Sequence, residues 1–187
     1  MDKKSEFEAA LQEFVTTLQA YISSENGQWT IKGFVDIYKN VYTISSDTKI
    51  ISKILEIHIF PKLLELSEKH GYKIVLADHQ NYYPDISFVD NEDDTLRFAV
   101  DFKTTYRLPG KPHLCNGFTL GSHGKYFEDR TSTKNIQFPY GSYSGHYCLG
   151  IIYDRVDARD IDETRIFDLD SLTSITSVVG NFQFFVA

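Results

Sequence analysis

Two aspartates lie at the open end of a predicted β-hairpin, and this pattern constrains the fold more than any other part of the sequence. The segments on either side of the acidic residues 92–94 alternate in character, which predicts two strands joined by a three-residue loop. With that loop Asn91 faces Thr95, and counting back along both strands places Asp85 opposite Asp101. The sequence therefore predicts two carboxylates side by side where the strand pairing ends.

The predicted register also sorts the hairpin side chains onto two faces, because successive residues of a strand point in opposite directions. One face gathers two acids and a lysine at one end, and the other is apolar throughout. The two sets are Asp85, Ser87, Val89, Arg97, Ala99, Asp101 and Lys103 on the first face, and Ile86, Phe88, Phe98, Val100 and Phe102 on the second.

Opposed carboxylates in a sheet repel each other unless a cation neutralises them. Carboxylates that share an ion with water and phosphate oxygens are typical ligands of Mg²⁺. Lys103 would point the same way as the two acids and could bind a phosphate or the attacking water. The pattern predicts a metal-dependent phosphodiesterase site at Asp85, Asp101 and Lys103. Its alternative is a solvated polar strand face with no site, which is common in antiparallel sheets.

Length and composition indicate one globular domain. The chain has 187 residues, 42% of them hydrophobic and 14% aromatic, which excludes a disordered segment and allows a sizeable core. No apolar run reaches membrane-spanning length, and the N-terminus lacks the apolar core of a signal peptide. Cys115 and Cys148 lack metal-ligand spacing and fit free thiols. We therefore expect a cytoplasmic location and no membrane partner.

The charge distribution permits nucleic-acid binding without requiring it. The net charge of −7 argues against a broad basic surface. Residues 103–134, however, carry six basic and two acidic side chains, a local net charge of +4 directly after the predicted site. Such a stretch could guide a phosphate backbone past a metal ion, although exposed loops are often basic without any ligand.

Local patterns predict two long helices and several strands. Helical periodicity covers residues 5–23 and 48–69, with Asp47 among the N-cap candidates, Gly71 as the stop signal, and Pro61 expected to kink or split the second helix. On periodicity alone, Glu56 in that helix is best interpreted as solvent-exposed. A long connection with glycine and proline is expected over residues 107–124. Strand patterns fall within residues 28–44, 73–76, 147–156, 166–169 and 182–186. The mixture predicts the α/β (α+β) class, a central mixed sheet flanked by helices.

Beyond these patterns, the order of several short motifs resembles the EcoRV-like type II restriction endonucleases of the PD-(D/E)XK class. The central element is Tyr83-Pro84-Asp85 followed by Asp101-Phe102-Lys103-Thr104-Thr105-Tyr106. The more specific pieces are the KTTY, FTLG and TKNI runs, which come in the family's order. The matching runs are residues 46–49, 68–72, 80–81, 83–85, 101–106, 118–121 and 133–136.

This resemblance implies a fold, a set of site residues and a reaction. It implies a restriction-endonuclease-like domain over residues 1–187, with a dimerisation element at about 20–45 and a catalytic core at 46–156. We also expect the chain to lack the family's C-terminal portion, which carries a glycine-rich recognition loop. The implied site comprises metal ligands Asp85, Asp101 and Glu56, catalytic Lys103, and DNA-contacting Lys49, Gln80, Asn81, Thr104, Thr105, Thr119 and Lys134.

The implied activity is Mg²⁺-dependent hydrolysis of a palindromic DNA duplex by a homodimer. By resemblance the target is GATATC, cut to blunt ends with 5′-phosphates. A two-fold-symmetric reader suits a palindrome, because the duplex has the same symmetry. Two alternatives stay open: a PD-(D/E)XK nuclease of another specificity, and an inactive fragment that binds metal only.

Overall fold

Two helices and nine strands form the part of the chain that the computed structural model describes, namely residues 2–79, 81–118, 126, 128–157 and 162–187. Helix α1 spans Lys3–Ile22 and helix α2 spans Thr48–His70. The strands are β1 (Gly33–Val35), β2 (Val41–Thr43), β3 (Tyr72–Leu76), β4 (Ile86–Asp90), β5 (Arg97–Leu108), β6 (Lys111–Cys115), β7 (Gly145–Arg155), β8 (Ile166–Phe167) and β9 (Val179–Val186).

The ends of α2 follow from its caps. The Asp47 carboxylate accepts the backbone N–H groups of Lys49 and Ile50, and Gly71 ends the helix at φ 75°, a conformation that glycine adopts without steric cost. Of the two outcomes expected at Pro61, a kink or a split, the split does not occur, because α2 continues through it. Pro61 is exposed, so water can replace the hydrogen bond that its ring removes.

A six-stranded mixed sheet forms the centre of the molecule. Its order is β3-β4-β5-β7-β9, and β6 pairs with β5 outside that path. The β5–β7 pair is parallel and the other pairs are antiparallel. A smaller antiparallel sheet has the order β1-β2-β8. The predicted class, a mixed sheet flanked by helices, is confirmed.

The predicted register of the β4–β5 hairpin is also confirmed. Ile86 pairs with Val100 and Val89 with Arg97, and the Asp90 N–H donates to the Leu96 carbonyl at the start of the loop. The apolar face packs into the main core with α1 and α2, and Phe88 and Phe98 are fully buried there.

The opposite face of the hairpin is covered too, which sequence alternation did not predict. A second cluster of Ile136, Tyr140 and Tyr143, with Tyr126, packs against Ala99. Ser87 is 1% exposed and hydrogen-bonded to the Tyr143 hydroxyl at 2.8 Å. The alternative of a solvated strand face was therefore wrong for the middle of the hairpin. Only its end, where the acids lie, opens to the surface.

The expectation of a long irregular connection after Arg107 was wrong for residues 107–115. Strand β5 runs on to Leu108, turns at Gly110 with φ 70°, and returns as β6, with Arg107 opposite Cys115. This hairpin closes one side of the cleft described below. Among the described residues, no helix is both long and apolar enough to cross a membrane.

Candidate active site

The two predicted metal-binding acids lie one residue beyond the last β4–β5 pair. Because Ile86 pairs with Val100, the next positions on each strand are Asp85 and Asp101. The ladder is completed by a side chain, since Asp85 Oδ2 accepts the Phe102 N–H at 2.7 Å. Strand β5 continues past this point without β4 beside it, which leaves a notch in the sheet edge between Asp85 and β6.

Lys103 lies next to Asp101 at this notch. Its Nζ forms an ion pair with Asp101 Oδ2 and lies 3.3 Å from the Phe102 carbonyl oxygen, to which it donates. Both side chains are largely covered, with 22% of Lys103 and 16% of Asp101 exposed. The sequence prediction that Asp85, Asp101 and Lys103 come together is therefore consistent with the fold.

Glu56 approaches the same place from α2. Its side chain is 25% exposed and pairs with Lys53, whose Nζ lies 2.7 Å from Glu56 Oε2. Glu56, Asp85 and Lys103 line one cleft of about 690 Å³ between α2 and β5. The periodicity-based interpretation of Glu56 as plain solvent-exposed surface was wrong, because β5 packs beside this part of α2.

The electrostatics of Asp85 are unfavourable for its charged form. Burial is the largest cause, followed by the charge of Asp101, and with a contribution from Glu56 these raise the pKa of Asp85 to about 7. The hydrogen bond from the Phe102 N–H works in the opposite direction. A carboxyl whose pKa is raised this far by burial together with neighbouring acids is characteristic of functional sites.

This donor set fits a hard divalent cation. Among the described residues, no three His, Cys, Asp or Glu side chains form a ready-made metal cage. Mg²⁺ needs no such cage, since it keeps several waters and takes one or two carboxylates together with phosphate oxygens. Asp85 has a single backbone donor and two acidic neighbours, so a cation is the partner that its environment lacks.

Three of the predicted DNA-contacting residues also line the cleft: Lys49, Thr104 and Thr105. The Thr104 hydroxyl contacts Ser52 of α2. Thr105 is 3% exposed, and its hydroxyl donates to the Asn116 carbonyl. In this structure Thr105 thus connects β5 to the residues after β6, whereas Lys49 is exposed at the rim of the cleft.

Two other predicted contacts that the structure describes are not brought into this cleft. Asn81 and Lys134 are both exposed and lie outside its lining. Gln80 and Thr119 lie outside the described residues. The fold therefore gathers Lys49, Thr104 and Thr105 with the acids and the lysine, and leaves Asn81 and Lys134 outside the cleft.

The cleft also contains residues that were not predicted as site residues. Ser52 precedes Glu56 by four positions on α2, so helical spacing could have identified it. Asn116 and Tyr153 arrive through the β5–β6 hairpin and the parallel β5–β7 pairing, where Tyr106 lies opposite Tyr153. The β5–β7 pairing connects distant segments, so it leaves no local pattern in the sequence that points to Tyr153.

A mixed sheet whose central hairpin ends in two acids and a lysine, with a further acid on a flanking helix, is the arrangement expected of the PD-(D/E)XK class. The chain belongs to the EcoRV restriction endonuclease family, whose model, described as "Restriction endonuclease EcoRV", matches residues 25–187. It is 32% identical to the type II restriction enzyme EcoRV of Escherichia coli over 151 residues, which cover 81% of this chain and 60% of that protein. The predicted resemblance is confirmed, and the chain spans about 60% of the length of this relative.

Proposed function

We propose that the chain is a Mg²⁺-dependent type II deoxyribonuclease that cuts both strands of a palindromic duplex. The observation that carries the proposal is the convergence of Asp85, Asp101, Lys103 and Glu56 at the notch where β4 ends and β5 continues. Membership of the EcoRV family supports the same reaction. By inheritance from the similar enzyme we propose GATATC as the target, with blunt ends and 5′-phosphate products.

The reaction is the hydrolysis of one P–O bond in each strand. Water attacks phosphorus in line with the bond to the 3′ oxygen, that oxygen leaves, and the phosphate stays on the 5′ end. Charge on the phosphoryl oxygens rises in the transition state, so groups that stabilise it selectively accelerate the step.

Lys103 is the residue placed to stabilise that charge. Its ammonium group is held at the notch by Asp101 and by the Phe102 carbonyl, so it needs little reorganisation to face a phosphate or to orient the attacking water. A preorganised charge of this kind is typically worth about 3–4 kcal/mol in the transition state. Loss of Lys103 should therefore slow cleavage by roughly a hundredfold or more.

Asp85 and Asp101 would hold Mg²⁺, with Glu56 assisting from α2. The bound ion would neutralise charge on the scissile phosphate and lower the pKa of a water at the site. The Phe102 N–H fixes one oxygen of Asp85, so this carboxylate is oriented before any ion arrives. Lys53 in turn holds Glu56 on the cleft wall.

We also propose that two copies of the chain form the active unit. The small β1-β2-β8 sheet and the turn between β1 and β2 expose several large apolar side chains, and the β1 and β2 strands lie within the predicted dimerisation element. The exposed members are Phe34, Val35, Ile37, Tyr38, Tyr42 and Ile166. Exposed apolar patches of this kind mark association sites in soluble proteins, and a two-fold dimer would match a palindromic target.

Ile37→Asp tests the dimer, because Ile37 is 88% exposed and its substitution leaves the core intact. We expect the wild-type chain to sediment as a dimer and the variant as a monomer. Leu114→Asp is the matched control, since Leu114 is another exposed apolar residue, 55% exposed, on β6. A monomeric wild-type chain, or equal effects of both variants, would exclude this surface as the interface.

A cytoplasmic location is part of the same proposal. Cys115 and Cys148 are both free thiols, which fits a reducing compartment. A restriction enzyme must also share a compartment with the DNA that it cuts. Fractionation of producing cells, with the chain detected by antibody, would test this directly.

The proposed activity is tested by incubating the purified chain with plasmid DNA and Mg²⁺ and mapping the ends. Blunt cuts at GATATC that Asp101→Ala abolishes would support the whole proposal. Cuts at scattered or other sites would favour a PD-(D/E)XK nuclease of different specificity. If DNA stays intact while Asp85 and Asp101 still support Mg²⁺ binding, the chain is a metal-binding fragment and the proposed activity is wrong.

A further inference from the structure

Strand β7 carries two tyrosines whose buried hydroxyl groups lack hydrogen-bond partners in the described part of the chain. These are Tyr147 and Tyr153, which lie on the same face of β7, six residues apart. A buried polar group without a partner costs folding free energy, and few are kept in native proteins. The two hydroxyls therefore call for an explanation, and their surroundings differ.

Tyr147 lies in an apolar setting away from the cleft. Its ring centroid is 5.5 Å from that of Phe7 on α1 and 6.3 Å from that of Phe98 on β5. It is absent from the lining of the cleft. Its electrostatic neighbours are the acids Glu8 and Asp2 at the start of α1. These acidic neighbours disfavour an anionic ligand at its hydroxyl.

Tyr153 lies in the wall of the cleft. It pairs with Tyr106 across the parallel β5–β7 ladder, and the two ring centroids are 6.4 Å apart. The lining that includes Tyr153 also includes Ser52 and Lys49 from α2, and the charged neighbours of Tyr153 are Arg155 and Asp47. Burial raises the pKa of Tyr153 to about 12, so the hydroxyl keeps its proton at neutral pH and remains a donor.

The cleft is chemically asymmetric around these groups. Glu56, Asp85 and Lys103 lie near the notch, whereas Lys49 precedes Glu56 on α2 by about two turns and lies towards the other end of the cleft. Ser52 lies between them on α2 and its hydroxyl contacts that of Thr104. Within the described residues Lys49 forms no ion pair, in contrast to Lys53, which is held by Glu56. A cleft with the acids and Lys103 at one end and Lys49 at the other fits a phosphodiester strand that spans both, and the Lys49 end is the donor-rich one.

We propose that Tyr153 is a phosphate-binding residue whose hydroxyl gains its hydrogen bond only when a phosphate-bearing strand occupies the donor-rich end of the cleft. This rests on the proposed function, which supplies the strand. The ring is fully covered in the free chain. The hydroxyl therefore reaches a phosphate oxygen through one bound water or after a small displacement of the first turn of α2.

The test compares Tyr153→Phe with Tyr147→Phe, each of which removes one unpartnered hydroxyl and nothing else. Urea unfolding should show both variants as stable as the wild-type chain or more so. Binding is then measured by fluorescence anisotropy of a labelled duplex that contains GATATC, with Ca²⁺ in place of Mg²⁺. Tyr153→Phe should weaken binding by roughly tenfold, the size expected for one hydrogen bond to a charged group, and Tyr147→Phe should leave it unchanged.

A second probe, pyrophosphate, separates this inference from the nuclease activity. Pyrophosphate should raise the unfolding midpoint of the wild-type chain and of Tyr147→Phe, and raise that of Tyr153→Phe clearly less. If the chain cuts no DNA but the wild type binds both probes and Tyr153→Phe binds them more weakly than Tyr147→Phe, the proposed nuclease fails and the phosphate site stands. Equal responses of the two variants, or no response of the wild-type chain to either probe, would overturn the proposal for Tyr153.

Discussion

The two ends of strand β4 hold the same side chain in opposite electrostatic situations. Asp90, at the loop end, is 4% exposed, and its Oδ1 accepts the N–H groups of Glu92 and Asp93 at 2.9 and 3.1 Å. These bonds, with Lys3 at 3.4 Å, hold its pKa below the ordinary value. Asp85, at the other end, has one backbone donor and two acidic neighbours, and its pKa is raised to about 7.

This difference separates an acid that stabilises the fold, Asp90, from one whose charged form destabilises it, Asp85. The interactions around Asp90 favour its charged form, so the fold is more stable when it is ionised. Those around Asp85 disfavour the charged form in the free chain. A buried acid beside other acids is explained by a ligand that supplies positive charge, which is what the proposed site requires.

The largest expected effect comes from removing the charge of Asp85. Asp85→Asn keeps an oxygen that can accept the Phe102 N–H, so we expect the free energy of unfolding to stay the same or to rise. Cleavage of plasmid DNA with Mg²⁺ should slow by a hundredfold or more, because a ligand of the ion is lost. If the variant cuts DNA at the wild-type rate, Asp85 takes no part in the reaction and its role, like that of Asp90, is structural.

A smaller loss of activity is expected at Glu56. Residues that assist metal binding typically contribute 10- to 100-fold, so Glu56→Gln should lower the cleavage rate by roughly that factor and raise the Mg²⁺ concentration needed. The control is Glu65→Gln, because Glu65 forms the same i, i+3 pair with Lys62 on α2 and lies outside the cleft. Equal losses of cleavage rate in the two variants would show that Glu56 affects activity only by stabilising helix α2.

Asp90→Ala should show the reverse behaviour. It removes the acceptor of two loop N–H groups and the partner of Lys3, so we expect the free energy of unfolding to fall by about 1–3 kcal/mol. The cleavage rate of the folded variant should stay near the wild-type value. Urea denaturation and a plasmid assay measure the two quantities. A large loss of activity in a stable variant would contradict the division between the two ends of β4.

Local signals explain which parts of this comparison could be predicted from sequence. The loop at residues 92–94 set the hairpin register, and with it the meeting of Asp85 and Asp101. Asp47 and Gly71 set the ends of α2 for the same reason, since a cap acts on its nearest backbone groups. Each of these features depends on residues that are close in sequence, so it can be predicted from one amino-acid sequence.

Long-range pairing explains what the sequence did not reveal. Glu56 was interpreted as solvent-exposed because helical periodicity describes one helix and not what packs against it. The cluster behind Ala99 is built from segments about forty residues further along, and Tyr153 enters the cleft through parallel pairing with β5. Alternation along β4 and β5 therefore predicted correctly which residues lie on the polar face. It did not predict that other segments of the chain cover most of that face.

The smallest expected effect is the pH dependence of the Asp90 contribution, which Asp90→Asn measures by removing the charge alone. A carboxyl whose folded pKa is lowered stabilises the fold above its unfolded pKa, about 3.9, and loses that contribution as the pH falls through the folded value. We therefore expect the wild-type chain to be more stable than Asp90→Asn at pH 7, and the difference to shrink towards zero below about pH 4. Urea titrations across pH 3–7 measure this difference. A gap that widened on acidification would mean that the Asp90 charge destabilises the loop, and the two ends of β4 would then be alike.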